Sequence, residues 1–370
     1  MCAFCNGGCR RRLVAFSGGH TSGVKRIALL GATGSIGRQA LEVIGADPEL
    51  DLVAATSGST PIEGLAPLTQ VGGDPTALLE RAQPDVVLNA TVGFAGLPAT
   101  MWALEHGVTL ALANKESLVA AGELALAARA RGGGELLPVD SEHSSLFQCS
   151  RGGEPEAVVL TASGGPFRGW TRDELADVTA EEALAHPTWS MGAKITIDSA
   201  TLANKGLEVI EAHFLFGLPY ARIEVVIHPT SIVHGLVRFH DGAALAHLGY
   251  PDMRVPISYA LTYPDRGPTP IPALDLVSAG PLEFFDPDLE TFPLLALARE
   301  AGERGGTYPC AFNAANEVAV AAFLDGRIGF LEIASRVAEV LERVDGGAAR
   351  DLDDLREADA RARELTVLPV

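Results

Sequence analysis

Arg26-Ile27-Ala28-Leu29-Leu30-Gly31-Ala32-Thr33-Gly34-Ser35-Ile36-Gly37 decides how this 370-residue chain begins to fold. A short apolar run suited to a buried strand enters a glycine turn, and an apolar 3.6-residue period follows through Ile36, Ala40, Leu41, Val43 and Ile44. Strand, glycine turn and helix in that order are the context of a dinucleotide-binding unit. The glycines let backbone amides at the helix N-terminus approach a pyrophosphate. The segment therefore predicts an α/β protein whose first domain is Rossmann-like.

Moving outward, a second strand, Leu52-Val53-Ala54-Ala55-Thr56, ends in Ser57-Gly58-Ser59-Thr60. A unit that prefers NAD often places Asp or Glu there to bind the ribose 2′-hydroxyl. Neither occurs, so the hydroxyl-rich tip points to NADP, although no Arg or Lys lies between Arg38 and Arg81. Further strands are expected over residues 85–90 and 108–113, with a helix carrying Trp102 and Leu104 between them. The later strand runs into Asn114-Lys115-Glu116-Ser117, beyond the carboxyl edge where ligands of open α/β sheets bind.

Two later stretches carry different chemistry. Val139-Asp140-Ser141-Glu142-His143-Ser144-Ser145 and Asp198-Ser199-Ala200-Thr201-Leu202-Ala203-Asn204-Lys205-Gly206-Leu207-Glu208 combine carboxylates with hydroxyls, an amide and a lysine. Hard divalent cations such as Mg²⁺ and Mn²⁺ take oxygen ligands of this kind. In an extended segment Asp140 and Glu142 point to the same side and can reach one ion, with Glu208 arriving from elsewhere in the fold. The spacing alone also fits a polar turn and a solvated helix residue.

Composition narrows the partners. Lys and Arg total 28 against 47 Asp and Glu, a net charge of −19, which argues against nucleic acid or an anionic membrane. Any site for a phosphorylated substrate must therefore be built locally from a few cations and amides. The only lysines are Lys25, Lys115, Lys194 and Lys205. A compact ammonium retained among so many arginines suits a place where the wide guanidinium fork does not fit. Five cysteines do not describe a disulfide framework in a chain this long, and no apolar run is long enough to span a membrane. A cytoplasmic, reducing compartment is expected.

Residues 1–23, rich in Arg and Gly and containing Cys2, Cys5 and Cys9, read as a leader: a metal knuckle, a transit peptide or a consequence of start-site choice. The functional chain is expected to begin near Val24. Residues 24–139 form the expected cofactor domain and 140–264 a catalytic α+β domain. Within the latter, strands are expected over 157–160, 223–227 and 235–239. The stretch through His186-Pro187-Thr188-Trp189-Ser190-Met191-Gly192 suits a lid. Residues 265–293, rich in proline, read as a linker, and 294–370 as a C-terminal helical bundle that includes helices over 314–324 and 331–344.

With these residues in view, the chain resembles the 1-deoxy-D-xylulose 5-phosphate reductoisomerases of the non-mevalonate isoprenoid pathway, the family inhibited by fosmidomycin. The motifs that carry the resemblance are the turn from Gly31 to Gly37, Leu112-Ala113-Asn114-Lys115-Glu116-Ser117, the two carboxylate stretches, Ser163-Gly164-Gly165-Pro166-Phe167, the segment from His186 to Gly192, and Asn313-Ala314-Ala315-Asn316-Glu317. The resemblance implies an NADPH- and divalent-metal-dependent homodimer that rearranges and reduces 1-deoxy-D-xylulose 5-phosphate to 2-C-methyl-D-erythritol 4-phosphate, with Mg²⁺, Mn²⁺ or Co²⁺ as the ion.

It also implies roles for individual residues. Asp140, Glu142 and Glu208 match metal ligands. Lys115, Ser141, Glu142 and Glu208, with Ser163, His186, Ser199, Asn204 and Lys205, match groups that hold substrate and its phosphate. Among these, Lys115, Glu142, His186 and Glu208 are the expected catalytic residues. Thr33, Gly34, Ser35, Ile36, Gly58, Ser59, Thr60, Asn114, Glu116 and Gly192 match cofactor positions, and His234 lies near the site. The chain departs from the family where a basic residue and Asn commonly follow Gly58, since Ser59 and Thr60 stand there. The stretch from Thr60 to Gln83 is also short, by roughly a strand and a helix, which predicts a narrower cofactor sheet. The rival readings are another two-domain NADP oxidoreductase acting on a phosphorylated substrate, and a nucleotide-sensing binding protein on a Rossmann scaffold.

Overall fold

The computed structural model of the chain describes residues 23–189 and 191–366, so the leader lies outside the described residues except for Gly23. The opening segment folds as strand β1 (Lys25–Leu30), the glycine turn and helix α1 (Ser35–Ala46). Ile27, Ala28, Leu29 and Leu30 are fully buried, each large side chain contributing about 1.5–3 kcal/mol of hydrophobic stabilisation. Two glycines are required in the turn. Gly31 has φ +83°, and a Cβ on Gly37 would lie 2.2 Å from the Gly31 carbonyl oxygen, so helix and strand could not approach this closely with any other residue.

The first half continues through β2 (Leu50–Ser57), β3 (Leu68–Val71), α2 (Thr76–Ala82), β4 (Val86–Asn89), α3 (Leu97–Glu105), β5 (Thr109–Leu112), α4 (Lys115–Gly132) and β6 (Leu136–Pro138). Its strands form one parallel six-stranded sheet in the order β3-β2-β1-β4-β5-β6. The short stretch from Thr60 to Gln83 still adds β3 at the edge and α2 behind it, while the crossover from β2 to β3 runs without a helix.

Beyond β6 come α5 (Ser141–Ser150), β7 (Ala157–Ala162), α6 (Ala180–Leu184), α7 (Ala193–Ala200), α8 (Ala203–Phe216), β8 (Ile223–Ile227), β9 (Val233–Arg238) and β10 (Ala244–Leu248). A second, four-stranded sheet has the order β10-β9-β7-β8, with β7 parallel to β8 and antiparallel to β9. The chain ends in α9 (Arg254–Thr262), the short α10 (Leu276–Ala279), α11 (Leu294–Arg304), α12 (Tyr308–Leu324), α13 (Phe330–Arg343) and α14 (Leu352–Thr366).

Helices cover both faces of the parallel sheet. Trp102, Ala103, Leu118 and Ala125 of α3 and α4 pack on one face. Ala40, Val43 and Ile44 of α1, with Ile257, Ala260 and Leu261 of α9, pack on the other. Helix α9 therefore returns to the first sheet after the chain has built the second. A third core joins β7, β8 and β9 to α7, α8, α11, α12 and α13. Helix α8 is buried along most of its length, including its charged residues Lys205, Glu208 and Glu211. Among the described residues no helix is long and apolar enough to cross a membrane.

Candidate active site

Neighbouring parallel strands deliver the first charges. Leu112 of β5 is registered beside Pro138 of β6, so the chains leaving these strands carry Lys115 and Asp140 out side by side at the carboxyl edge of the sheet, where the two form an ion pair. Asp140 does not continue as a strand. Its carboxylate accepts hydrogen bonds from the backbone N–H groups of Glu142 (3.1 Å) and His143 (3.2 Å), capping α5 and placing Glu142 in the helix's first turn. This corrects the extended-segment reading, because the carboxylate that would have faced the same side as Glu142 instead turns the chain into a helix. The two acids nevertheless converge, and with Glu208 they offer carboxylate oxygens all within 4.8 Å of one another.

Helix α8 supplies the opposite wall. Leu202, held in the left-handed region at φ +61°, breaks the chain between α7 and α8, and Asn204, Lys205 and Glu208 then share the inward face at helical spacing. Glu208 receives hydrogen bonds from Asn204 Nδ2 (2.6 Å), Lys205 Nζ (2.5 Å) and Lys115 Nζ (3.3 Å). Lys205 also donates to Glu142 (2.7 Å).

These charges shift one another. Burial, aided by the Asp140 and Glu142 carboxylates, pushes Glu208 up to about 7 against the pull of both lysines. Burial opposes ionisation of Asp140 too, but the Lys115 and Lys205 ammonium groups override it and hold that carboxyl well below the usual range. Burial lowers His143 to about 4, so the ring is neutral, with Nε2 2.9 Å from the backbone oxygen of Glu208. The donor set is all oxygen, and Glu208 keeps an uncompensated penalty although two lysines already face it. Such a site fits a divalent cation.

The wall facing the ion-pair cluster is polar but less charged. His186 Nδ1 accepts the backbone N–H groups of Thr188 (3.1 Å) and Trp189 (2.9 Å). In the neutral ring the proton therefore sits on Nε2, between Ser163 Oγ (3.0 Å) and Ser199 Oγ (3.1 Å). Burial lowers the pKa of His186, which favours this neutral form. All of these groups line one cavity of about 550 Å³ that runs from Ser35 and Ile36 at the start of α1, past Trp189 and Met191, to Lys205 and Glu208.

Comparison with known proteins assigns the family. The description "DXP reductoisomerase C-terminal domain" matches residues 248–365, "1-deoxy-D-xylulose 5-phosphate reductoisomerase C-terminal domain" matches 136–216, and "1-deoxy-D-xylulose 5-phosphate reductoisomerase" matches 27–72 and 69–122. The chain is 52% identical over 375 aligned residues to the 1-deoxy-D-xylulose 5-phosphate reductoisomerase of Geobacillus kaustophilus (strain HTA426), covering 92% of this chain and 98% of that protein. The chain belongs to the 1-deoxy-D-xylulose 5-phosphate reductoisomerase family. Solved structures agree. The Zymomonas mobilis reductoisomerase in complex with NADPH superposes with a TM-score of 0.84 at 39% identity, covering 92% of this chain and 98% of that one. A crystal structure of DOX-P reductoisomerase with NADPH, fosmidomycin and magnesium gives 0.83 at 37% identity, covering 92% and 97%.

Of the positions that the reductoisomerase resemblance marks, the cavity gathers Ser35, Ile36, Lys115, Asp140, Ser141, Glu142, Ser163, His186, Gly192, Ser199, Asn204, Lys205 and Glu208. Thr33, Gly34, Gly58, Ser59 and Thr60 are not among its lining residues; the last three are exposed at the end of β2. Asn114 and Glu116 are buried and engaged elsewhere. The Asn114 amide donates to the backbone oxygens of Thr91 (2.7 Å) and Gly93 (2.9 Å) and to Glu116 (2.9 Å), tying the loop after β4 to the start of α4. The ring of His234 lies 6.3 Å from that of Trp189, in an adjoining cavity that shares Ser141. Two buried residues, His143 and Glu211, escaped the sequence reading. The signal for Glu211 was its position three residues after Glu208 on one helix face.

Proposed function

We propose that this protein converts 1-deoxy-D-xylulose 5-phosphate to 2-C-methyl-D-erythritol 4-phosphate in isoprenoid precursor biosynthesis, using NADPH and a divalent cation. The observation that carries this reading is the convergence of Asp140, Glu142 and Glu208 in the same cavity as the glycine-turn helix. Simple hydride transfer would leave that converging oxygen trio without a purpose.

In this reading Asp140, Glu142 and Glu208 hold the cation, and the N-terminal amides of α1 face the cofactor's pyrophosphate. Gly34 caps α1 without a side-chain hydrogen bond, which leaves the first-turn N–H groups for an anion. When bound, the cation supplies Lewis-acid polarisation of the substrate's ketone and neighbouring hydroxyl oxygens, and NADPH supplies the hydride.

The chain's own side chains do the remaining work. Nε2–H of His186, the hydroxyls of Ser163 and Ser199, Asn204 and the free donor of Lys205 bind the substrate phosphate; an ammonium has three donors, and Lys205 spends two on Glu142 and Glu208. Lys115 and Ser141 orient the substrate backbone beside the carboxylates. A retro-aldol cleavage and rejoining produces fragments that must not escape, and Trp189 and Met191 close the cavity over them and exclude water. Ser59 and Thr60 face the 2′-phosphate with hydroxyls and backbone in place of a cation. Gly58 and Gly192 border the cofactor, as do Thr33 and Gly34, while Asn114 and Glu116 shape its floor from beneath.

The protein acts as a cytoplasmic homodimer in this proposal. Exposed Leu276, Val277, Phe284 and Phe285, close together in sequence, supply apolar surface for the partner copy. The functional reading is tested by NADPH oxidation with 1-deoxy-D-xylulose 5-phosphate and Mn²⁺, with the product identified by mass spectrometry and NMR. Turnover to the branched polyol phosphate is expected, and it should collapse in Glu208→Gln. NADPH oxidation that yields an unrearranged skeleton would refute it.

A further inference from the structure

Glu211 is a buried acid that the chemistry above leaves unused. It sits on α8 within the core, its side chain 5% exposed. One carboxylate oxygen, Oε2, lies 3.7 Å from Lys115 Nζ and 3.6 Å from His143 Nδ1. Neither Glu211 Oε2 nor His143 Nδ1 has a hydrogen-bond partner, although both are buried. The carboxylate is therefore aimed at Lys115 with hydrogen-bonding capacity that this state leaves unused.

The Lys115 ammonium pairs with Asp140 and lies 3.3 Å from Glu208, and both of these carboxylates belong to the oxygen trio. Glu211 does not belong to the trio. A divalent cation taken up by Asp140 and Glu208 repels the ammonium that now occupies them, and at 12% side-chain exposure Lys115 has little access to water as an alternative. Glu211 is the next acceptor within reach, only slightly farther away than Glu208.

We propose that Glu211 is a positioning residue that receives the Lys115 ammonium when Asp140 and Glu208 take up a divalent cation. The ligands are thereby released to the cation without stranding a buried positive charge, and Lys115 is held beside the substrate. His143, anchored by Nε2–H to the backbone oxygen of Glu208, turns its acceptor nitrogen towards Glu211 and so offers that carboxylate no donor in competition with Lys115. The inference rests on the reading of Asp140, Glu142 and Glu208 as a cation site.

The test is Mn²⁺ binding to the chelator-treated full chain without substrate or NADPH, read as free Mn²⁺ by electron paramagnetic resonance. Glu211→Gln should raise the Mn²⁺ dissociation constant by about tenfold or more, the range seen for residues that orient metal ligands. The same substitution in a Lys115→Met background should change it less than about threefold, because no ammonium then competes for the ligands. Glu211→Asp, which keeps the charge but shortens the reach, should weaken binding less than Glu211→Gln in the wild-type background and have no effect with Lys115→Met, and it carries the test should Glu211→Gln not fold. Equal weakening in both Lys115 backgrounds, or none in either, would overturn the proposal. A wild-type chain that binds no Mn²⁺ would overturn the cation site itself, and the inference with it.

Discussion

At the α1 end of the cavity the protein presents backbone amides, glycines and hydroxyls near solvent. At the α5 and α8 end it presents carboxylates and lysines that are mostly buried and paired with one another. The first arrangement costs little to maintain, because unpaired amides at a helix N-terminus are hydrated until an anion arrives. The second is held against desolvation, and each charge survives only because its neighbours are in place. A substitution at the α1 end should therefore weaken one ligand, whereas a substitution at the α8 end should disturb the fold, the cation and the substrate together.

The contrast breaks most visibly at Lys205. Replacing it with Met leaves Glu142 and Glu208 facing each other without their shared cation. Loss of about 3–5 kcal/mol is expected in urea unfolding of the chelator-treated protein, with Mn²⁺ restoring part of it. Turnover should fall by about 10²–10³-fold even with Mn²⁺ saturating, since the proposed donor to the substrate phosphate has gone. Stability unaffected by the substitution would show that the buried pairs are not what holds this wall together.

Gly37→Ala tests the other end. The added Cβ would meet the Gly31 carbonyl oxygen and the backbone of Ala32, so about 1–3 kcal/mol of stability should be lost, measured by urea unfolding, and NADPH binding should weaken. Mn²⁺ binding should be unchanged. Parallel loss of both ligands would mean that the two ends are one cooperative unit.

His186 offers a pH probe between the ends. Its folded pKa lies below the ordinary 6.5 because the ring is buried, so below pH 6.5 the unfolded chain takes up protons that the folded chain refuses. Stability from this group is full above pH 6.5 and declines as pH falls through the lower folded value. Protonation also removes the Nδ1 acceptor that holds the Thr188 and Trp189 amides. The acid slope of unfolding free energy between pH 7 and 5 should therefore be shallower in His186→Gln, and identical slopes would remove His186 as the titrating group. The smallest effect is expected at Ser59, exposed beyond β2. Ser59→Ala should cost about 1 kcal/mol of NADPH affinity, the worth of one hydrogen bond, and leave NADH kinetics unchanged. An equal loss with both cofactors would place the hydroxyl away from the 2′-phosphate.

The same contrast explains what could be read from the sequence. Strand β1, the glycine turn and α1 were legible because their signals are local: an apolar run, fixed glycines and a helical period. The fold class followed. Strands β3, β6 and β10 left no comparable mark. Each has only three to five residues, and β10 offers Ala244 and Ala246 where an apolar alternation would show.

At the charged end the residue types suggested an oxygen-rich cation site, but the geometry that gathers them was only partly legible. Asp140 and Glu142 converge through a helix cap that their spacing does not reveal, and Lys115 joins them only because β5 and β6 are registered side by side. His143 was invisible for the same reason, and Glu211 offered only its spacing from Glu208, since the importance of both comes from what the tertiary fold sets against them. Asn114 and Glu116 show the converse. Their place in a motif was plain, but their side chains turn inward to fasten a loop.

The most direct test is an Mn²⁺ titration of chelator-treated wild-type protein and Glu208→Gln, followed by electron paramagnetic resonance and, in the same samples, by NADPH oxidation with 1-deoxy-D-xylulose 5-phosphate. The expected result is a saturable site in the wild type whose occupancy rises in step with turnover, with binding weakened and turnover lost in Glu208→Gln. Full turnover in the presence of chelator, or Mn²⁺ binding indifferent to Glu208, would contradict the assignment of the three carboxylates.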